Sequence, residues 1–283
     1  MIKENSIGLI KDLKPFLRWA GGKRWFVKYL EELNTLNINN YFEPFVGGGS
    51  VFFSLNNYEN AFISDLNPQL IETYEALRDS PLQVISFLKM FENTEEEYYK
   101  IRAISYKSKI ERAAQFIYLN QTSFNGIYRV NRDGVFNVPY GRRNKKDIIE
   151  ESNLMKISKK LHEVKISCCD FESLLPLINR GDLVFLDPPY TVAHENNGFI
   201  QYNQKIFSLE DQYRLAKFIE IIKDKGAYYI LTNAKHDAIL DIYHNIGEPV
   251  SLSRSSTVGG VGAKRGKKGF NEYIYSNCLK FTK

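Results

Sequence analysis

Apolar residues in this chain fall into short unbroken runs that alternate with longer stretches of helical period. "DLVFLD" (182–187) and "GAYYILTN" (226–233) are too short and too continuous for amphipathic helices and predict buried strands. Between them "SLEDQYRLAKFIEIIKDKG" carries apolar residues at helical spacing, with Ser208 as the expected N-cap and Gly226 as the stop. Nearer the start, "NYFEPFV" (40–46) and "NAFISD" (60–65) are β-prone runs that each end at a polar or glycine-rich point, and "SVFFSLNN" between them reads as a helix. Such alternation predicts an α/β fold with a mainly parallel sheet covered on both faces and ligands beyond the strands' carboxyl ends.

From Pro68 to about Thr122 the pattern turns helical, through "PQLIETYEALRD", "PLQVISFLKMFE" and "ERAAQFIYLNQ". "YRVNRDGVFNVPYG" (128–141) then alternates around Arg132-Asp133-Gly134, a hairpin signal. The expected division is therefore an α/β part made of 1–67 and 148–283, carrying an inserted, mainly helical module with a β-hairpin at 68–147.

Composition changes this picture little. With 43% hydrophobic and 25% charged residues the chain can bury a core. It has no membrane-length apolar run, and "MIKENSIGLIKDLK" lacks a signal peptide's features, so a cytoplasmic protein is expected. Cys168, Cys169 and Cys278 form no C-x-x-C, and the four histidines no H-E-x-x-H, so we expect reduced structural thiols and no metal. Charge matters more. The net +5 is concentrated: residues 129–147 hold six Lys or Arg against two Asp, and residues 251–283 hold seven against one Glu. Both stretches suit a nucleic-acid partner.

Three motifs could carry chemistry. In "FEPFVGGGSVFF" (42–53) three glycines follow a strand and allow close backbone approach, yet neither a P-loop nor G-x-G-x-x-G is matched. Asp65 ends the next predicted strand, where a carboxylate can accept from ribose hydroxyls or cap the helix that follows. "DPPY" (187–190) ends a buried strand on Asp187; Pro188 and Pro189 stiffen the loop and turn backbone carbonyls toward a ligand, while Tyr190 offers a ring. An exocyclic amine could donate to Asp187 and a proline carbonyl and stack on Tyr190, which makes this a pocket for a base. In "FLRWAGGKRWFVKYL" (16–30), Gly21 and Gly22 open an expected helix, and Lys23 suits a carboxylate ligand.

Taken in order, "WAGGKR", "FEPFVGGGSVFF" and "DPPY" resemble the Dam-type, alpha-class DNA adenine N6-methyltransferases, and the resemblance extends through "FNGIYRVNRDGVFNVPYGR" (124–142) and "LTN" (231–233). It implies a Rossmann-like, S-adenosylmethionine-dependent catalytic domain at 1–67 and 148–283 and an inserted target-recognition domain at 68–147. It implies that Trp19, Lys23, Phe45, Gly47, Gly48, Gly49, Asp65 and Asp187 surround the cofactor, with Asp170 and Phe171 at its adenine. Asp187, Pro188, Pro189 and Tyr190 would form the catalytic loop. Arg129 would read a guanine, Arg18 would contact a base, and Phe124, Asn125, Ile127 and Pro139 would line the opened duplex. The expected reaction is base flipping in double-stranded DNA and direct methyl transfer, at GATC, by a monomer. Phe124 stands where a tyrosine is common, and "GGVGAKRGKKG" (259–269) is richer in glycine than the family pattern. Competing readings are an adenine methyltransferase of another recognition sequence, a methyltransferase of RNA or protein, a catalytically silent DNA-binding module, and a plain α/β nucleotide-binding enzyme.

Overall fold

A computed structural model describes residues 13–131, 133–142, 148–191, 207–255 and 269–281. Arg132, Lys145 and Lys146, His194 and the segment 256–268 lie outside the described residues. Seven strands form one sheet in the order β3-β2-β1-β4-β5-β7-β6. These are β1 (Ile38–Glu43), β2 (Tyr58–Asp65), β3 (Val164–Cys168), β4 (Leu183–Leu186), β5 (Tyr228–Ala234), β6 (Val250–Ser255) and β7 (Gly269–Ser276). β4 pairs in parallel with both β1 and β5, and β7 runs antiparallel between β5 and β6. The α/β expectation therefore holds. β4 is buried at every position, as its unbroken apolar run requires.

The chain forms two compact units, one of 1–27, 46–56 and 62–169, the other of 28–45, 57–61 and 170–283. In the first, four helices follow β2: α1 (Pro68–Asp79), α2 (Pro81–Lys89), α3 (Glu95–Ala103) and α4 (Lys109–Thr122). Their ends are encoded locally. Pro68 and Pro81 occupy first turns, Thr94 caps α3, and Ser108 with Glu111 forms a capping box on α4. α1 is tied to α4 by the Arg112 guanidinium on both carboxylate oxygens of Glu72 (2.8 and 2.6 Å) and by Lys109 on Glu75 (2.7 Å). Buried Tyr98 donates its hydroxyl to the Val138 carbonyl at 2.8 Å, anchoring the following hairpin on α3. That hairpin is short, with one bridge between Val130 and Phe136 and another between Ser123 and Tyr140. α5 (Glu151–Leu161) and β3 complete the unit.

In the second unit, α6 (Leu209–Asp224) joins β4 to β5, with Ser208 and Asp211 as its capping box and Gly226 at φ 81° past its end. The short α7 (Asp237–Ile242) follows β5.

Two local expectations are corrected. "SVFFSLNN" makes only a 3-10 turn at Phe52–Ser54, because Leu55 is already extended (φ −104°, ψ 146°). The run between left-handed Gly49 and extended Leu55 is too short to repay helix nucleation. The N-terminal helix is likewise built of 3-10 segments, Lys23–Trp25 and Val27–Thr35.

Candidate functional site

In the first unit the glycine loop is shaped by what packs on it. Gly47 (φ 45°) and Gly49 (φ 67°) hold left-handed conformations that favour glycine. A Cβ on Gly47 would lie 2.6 Å from Trp19 Cδ1, and one on Gly48 3.1 Å from Trp19 Cβ, so the indole of Trp19 rests directly on the loop. A Cβ on Gly49 would meet Tyr74 and Phe53. Asp65 fixes the loop from the other side: Oδ2 accepts from the Gly47 amide (3.1 Å) and Oδ1 from the Asn67 amide (3.0 Å). Burial raises the Asp65 pKa above the usual carboxylate range, partly offset by these amide donors. The helix cap is Asn67, whose side chain accepts from Gln69 and Leu70; Asp65 sits two residues earlier. Two carboxylate oxygens can accept more bonds than these two amides supply, so ribose hydroxyls remain chemically suitable ligands. Lys23 is buried and donates Nζ to the Gly21 carbonyl at 2.8 Å.

The segment that follows α4 belongs to the same unit. Asn120, buried near the end of α4, accepts from the Arg18 amide and donates to the Arg18 carbonyl, both at 2.7 Å. Arg18 packs under Gly126, where a Cβ would lie 2.6 Å from the Arg18 Cβ. Asn125 takes φ 54°, a conformation its short polar side chain tolerates, and the turn leaves Phe124 44% exposed. Phe124 donates its amide to the Pro139 carbonyl at 2.9 Å, so these two wedge candidates are neighbours. Pro139 is exposed and Ile127 half-buried. Exposed Arg129 donates Nε to Asn137 Oδ1 (2.8 Å) and a second N–H to the Asn137 carbonyl (3.3 Å), leaving further guanidinium donors on the same fork.

In the second unit, Phe45, half-buried, meets the rings of Phe171 (5.6 Å between centroids) and Phe207 (5.5 Å). Phe171 also packs edge-on against Phe218, and the Arg214 guanidinium lies over it at 5.0 Å. Arg214 is pinned by three carboxylates: Glu172 at 2.6 Å, Asp211 at 2.8 Å and Asp170 at 2.9 Å. Those partners, Glu172 first, hold its pKa well above the ordinary arginine value. Asp170 additionally caps the turn Phe171–Leu177 through the Glu172 amide.

Asp187 follows directly on β4. The parallel register that pairs Leu186 with Leu231 brings Thr232 beside it, and the Thr232 hydroxyl donates to Asp187 Oδ1 at 2.7 Å. Pro188 is buried, while Pro189 and Tyr190 are half-buried. Beyond them Thr191, buried, accepts from Gln212 Nε2 (2.9 Å) and donates to the Phe207 carbonyl (3.0 Å). Gln212 Oε1 in turn accepts from Asn233 Nδ2 (3.0 Å) and the Tyr243 hydroxyl (2.6 Å). This buried polar net ties the foot of the proline loop to α6 and β5. Thr232, Gln212, Arg214, Asn120 and Asn137 carry no motif of their own that marks them in the sequence. The one signal for Thr232 was its place in "LTN" at the end of the neighbouring strand.

Among the described residues no helix is long and apolar enough to cross a membrane, and no group of three or more His, Cys, Asp or Glu could hold a metal.

Comparison with known proteins bears on the same residues. The Type II methyltransferase M.MjaIII of Methanocaldococcus jannaschii is 40% identical over 245 residues, covering 79% of this chain and 85% of that one. The Type II methyltransferase M1.LlaDCHI of Lactococcus lactis is 34% identical and covers 98% of both chains. A DNA adenine methylase of Haemophilus influenzae is 30% identical, covering 86% of this chain and 88% of that one. Residues 19–255, from Trp19 through the glycine loop, the hairpin and the proline loop, match the family described as D12 class N6 adenine-specific DNA methyltransferase. The chain is therefore a member of the D12 class of N6 adenine-specific DNA methyltransferases.

Proposed function

We propose that the protein methylates N6 of an adenine flipped out of double-stranded DNA, with the methyl coming from S-adenosylmethionine, and that its site is GATC. The observation that carries the reading is the pairing of a rigid Asp187-Pro188-Pro189-Tyr190 loop with a hydroxyl that orients its carboxylate, 2.7 Å from Thr232. In this reading residues 1–67 and 148–283 are the catalytic domain, 68–147 the recognition domain, and the protein acts as a monomer. Family membership implies use of S-adenosylmethionine, which supplies an electrophilic methyl on a sulfonium.

The residues present fit that group. Asp65 offers acceptors for hydroxyls, Trp19 offers an aromatic face on the tightly folded glycine loop, and Phe45 in the second unit offers another beside Phe171. Lys23 and the Asp170–Phe171 pair complete the proposed cofactor set. Asp187 and the Pro188 carbonyl accept from N6, holding its lone pair in line with the incoming methyl, and Tyr190 stacks on the base. Because that lone pair is conjugated with the ring, the gain comes mainly from alignment and from dipoles that favour charge developing on N6. The N6 proton becomes acidic only as the new bond forms, so Asp187 need not be a strong base. Flipping costs a few kcal/mol, which contacts from Phe124, Asn125, Ile127 and Pro139 and phosphate contacts from the basic segments offset. Arg18 and Arg129 contact bases.

The test is transfer of labelled methyl to unmethylated duplex DNA, with N6-methyladenine located by sequencing. Marks confined to GATC support reaction and specificity together. Marks at another adenine site keep the mechanism and replace the target, whereas transfer only to RNA or protein overturns the DNA reading.

A further inference from the structure

Tyr128 lies between the two residues assigned to DNA, Ile127 and Arg129, yet its ring belongs to the cofactor side. It stacks on Trp19 with centroids 5.6 Å apart and planes 18° from parallel. Trp19 in turn covers Gly47 and Gly48, and the Gly47 amide is bonded to Asp65. Tyr128 is held in that position from three further directions. Its hydroxyl donates to Gln69 on α1 at 3.0 Å, Phe116 of α4 packs at 5.3 Å, and Phe136 from the opposite arm of the hairpin at 6.0 Å.

We propose that Tyr128 is the positioning residue that couples target recognition to cofactor binding: ordering of the hairpin by DNA fixes the Tyr128 ring, and the ring fixes the Trp19 indole on the glycine loop. The inference rests on the assignment of Trp19 and the glycine loop to S-adenosylmethionine and of Arg129 to DNA. The physical basis is that residues 127 and 129 cannot be docked on a duplex without constraining the side chain between them. A stacked aromatic pair is worth a factor of roughly two to ten in an equilibrium constant. Linkage makes the coupling reciprocal, so the cofactor must tighten DNA binding by the same factor.

The experiment measures the dissociation constant of S-adenosylhomocysteine, which cannot transfer a methyl, with and without a duplex carrying the mapped site. Wild-type protein is expected to bind it about two- to tenfold more tightly when DNA is present. Tyr128→Phe, which keeps the ring and loses the Gln69 bond, should retain that ratio. Tyr128→Leu, which fills space without a stack, should bring it close to one. A wild-type ratio of one, or a wild-type ratio retained in Tyr128→Leu, overturns the proposal. A second readout needs no change at Tyr128. In a Trp25→Phe background, Trp19 is the remaining tryptophan, and its emission should shift when duplex is added without cofactor. An unchanged emission also overturns the proposal. If S-adenosylhomocysteine or the duplex fails to bind wild-type protein, the underlying assignment falls and the coupling with it. If both bind independently, only the coupling falls.

Discussion

Thr232 holds one oxygen of the Asp187 carboxylate. The hydroxyl lies 2.7 Å from Asp187 Oδ1 and 3.4 Å from the Leu186 carbonyl, and its single proton goes to the nearer acceptor. Thr232 is fully buried, so Thr232→Val preserves shape while removing the donor. We expect kcat to fall roughly tenfold, the cost of about 1.4 kcal/mol of lost transition-state alignment, with DNA affinity unchanged in a filter-binding assay. Asp187→Ala should abolish transfer altogether, again without loss of DNA binding. Retained turnover in the alanine variant would remove Asp187 from the chemistry. At Arg129 the issue is selectivity. The Asn137 side chain and carbonyl already hold the guanidinium on the hairpin, which preorganises it for a planar acceptor pair such as the guanine edge. Arg129→Ala should lower discrimination at one guanine position by about 1–3 kcal/mol, read from methylation rates on single-base variants of the mapped site.

At the scale of elements, α6 does more than cover the sheet. Its buried Gln212 reaches Thr191 behind the proline loop, Asn233 on β5 and Tyr243 after α7. Gln212→Leu fills the space and removes the acceptor used by the Asn233 amide and the Tyr243 hydroxyl, at a cost of roughly 1–2 kcal/mol each. We expect about 2–4 kcal/mol of destabilisation, seen as a lower urea midpoint at unchanged slope, against less than about 0.5 kcal/mol for Tyr213→Ala one exposed position away. The start and stop of α6 are legible in the sequence because Ser208 and Gly226 act within a turn of where they stand. The net around Gln212 is not, since its four members come from four separate stretches of chain and meet only once β4 and β5 are in register. The same holds for Thr232 beside Asp187. β7 is placed by its antiparallel pairing with β5 about forty residues earlier, which no local pattern in the sequence announces. The glycine triplet promises room for a ligand; in the folded chain the close approach at Gly47 and Gly48 is made by Trp19.

For the whole molecule, net charge of +5 understates how the protein can attract a polyanion, because the excess is confined to residues 129–147 and 251–283. Several carboxylates are engaged elsewhere: Glu72 and Glu75 bind Arg112 and Lys109 between helices, and Asp170, Glu172 and Asp211 surround Arg214. Neutralising phosphates releases counterions, so log affinity for duplex DNA should fall linearly with log salt at a slope near −0.9 per phosphate contact. Replacing Lys264, Arg265, Lys267 and Lys268 by glutamine removes four cations of the second stretch without touching a residue assigned to base reading. If these side chains meet phosphates, the slope should flatten by about 3–4 while the methylated sequence stays the same, because phosphate contacts carry affinity and base contacts carry specificity. A slope that does not change, measured by fluorescence anisotropy between low and physiological salt, removes this stretch from the DNA interface and leaves the electrostatic attraction to the hairpin segment alone.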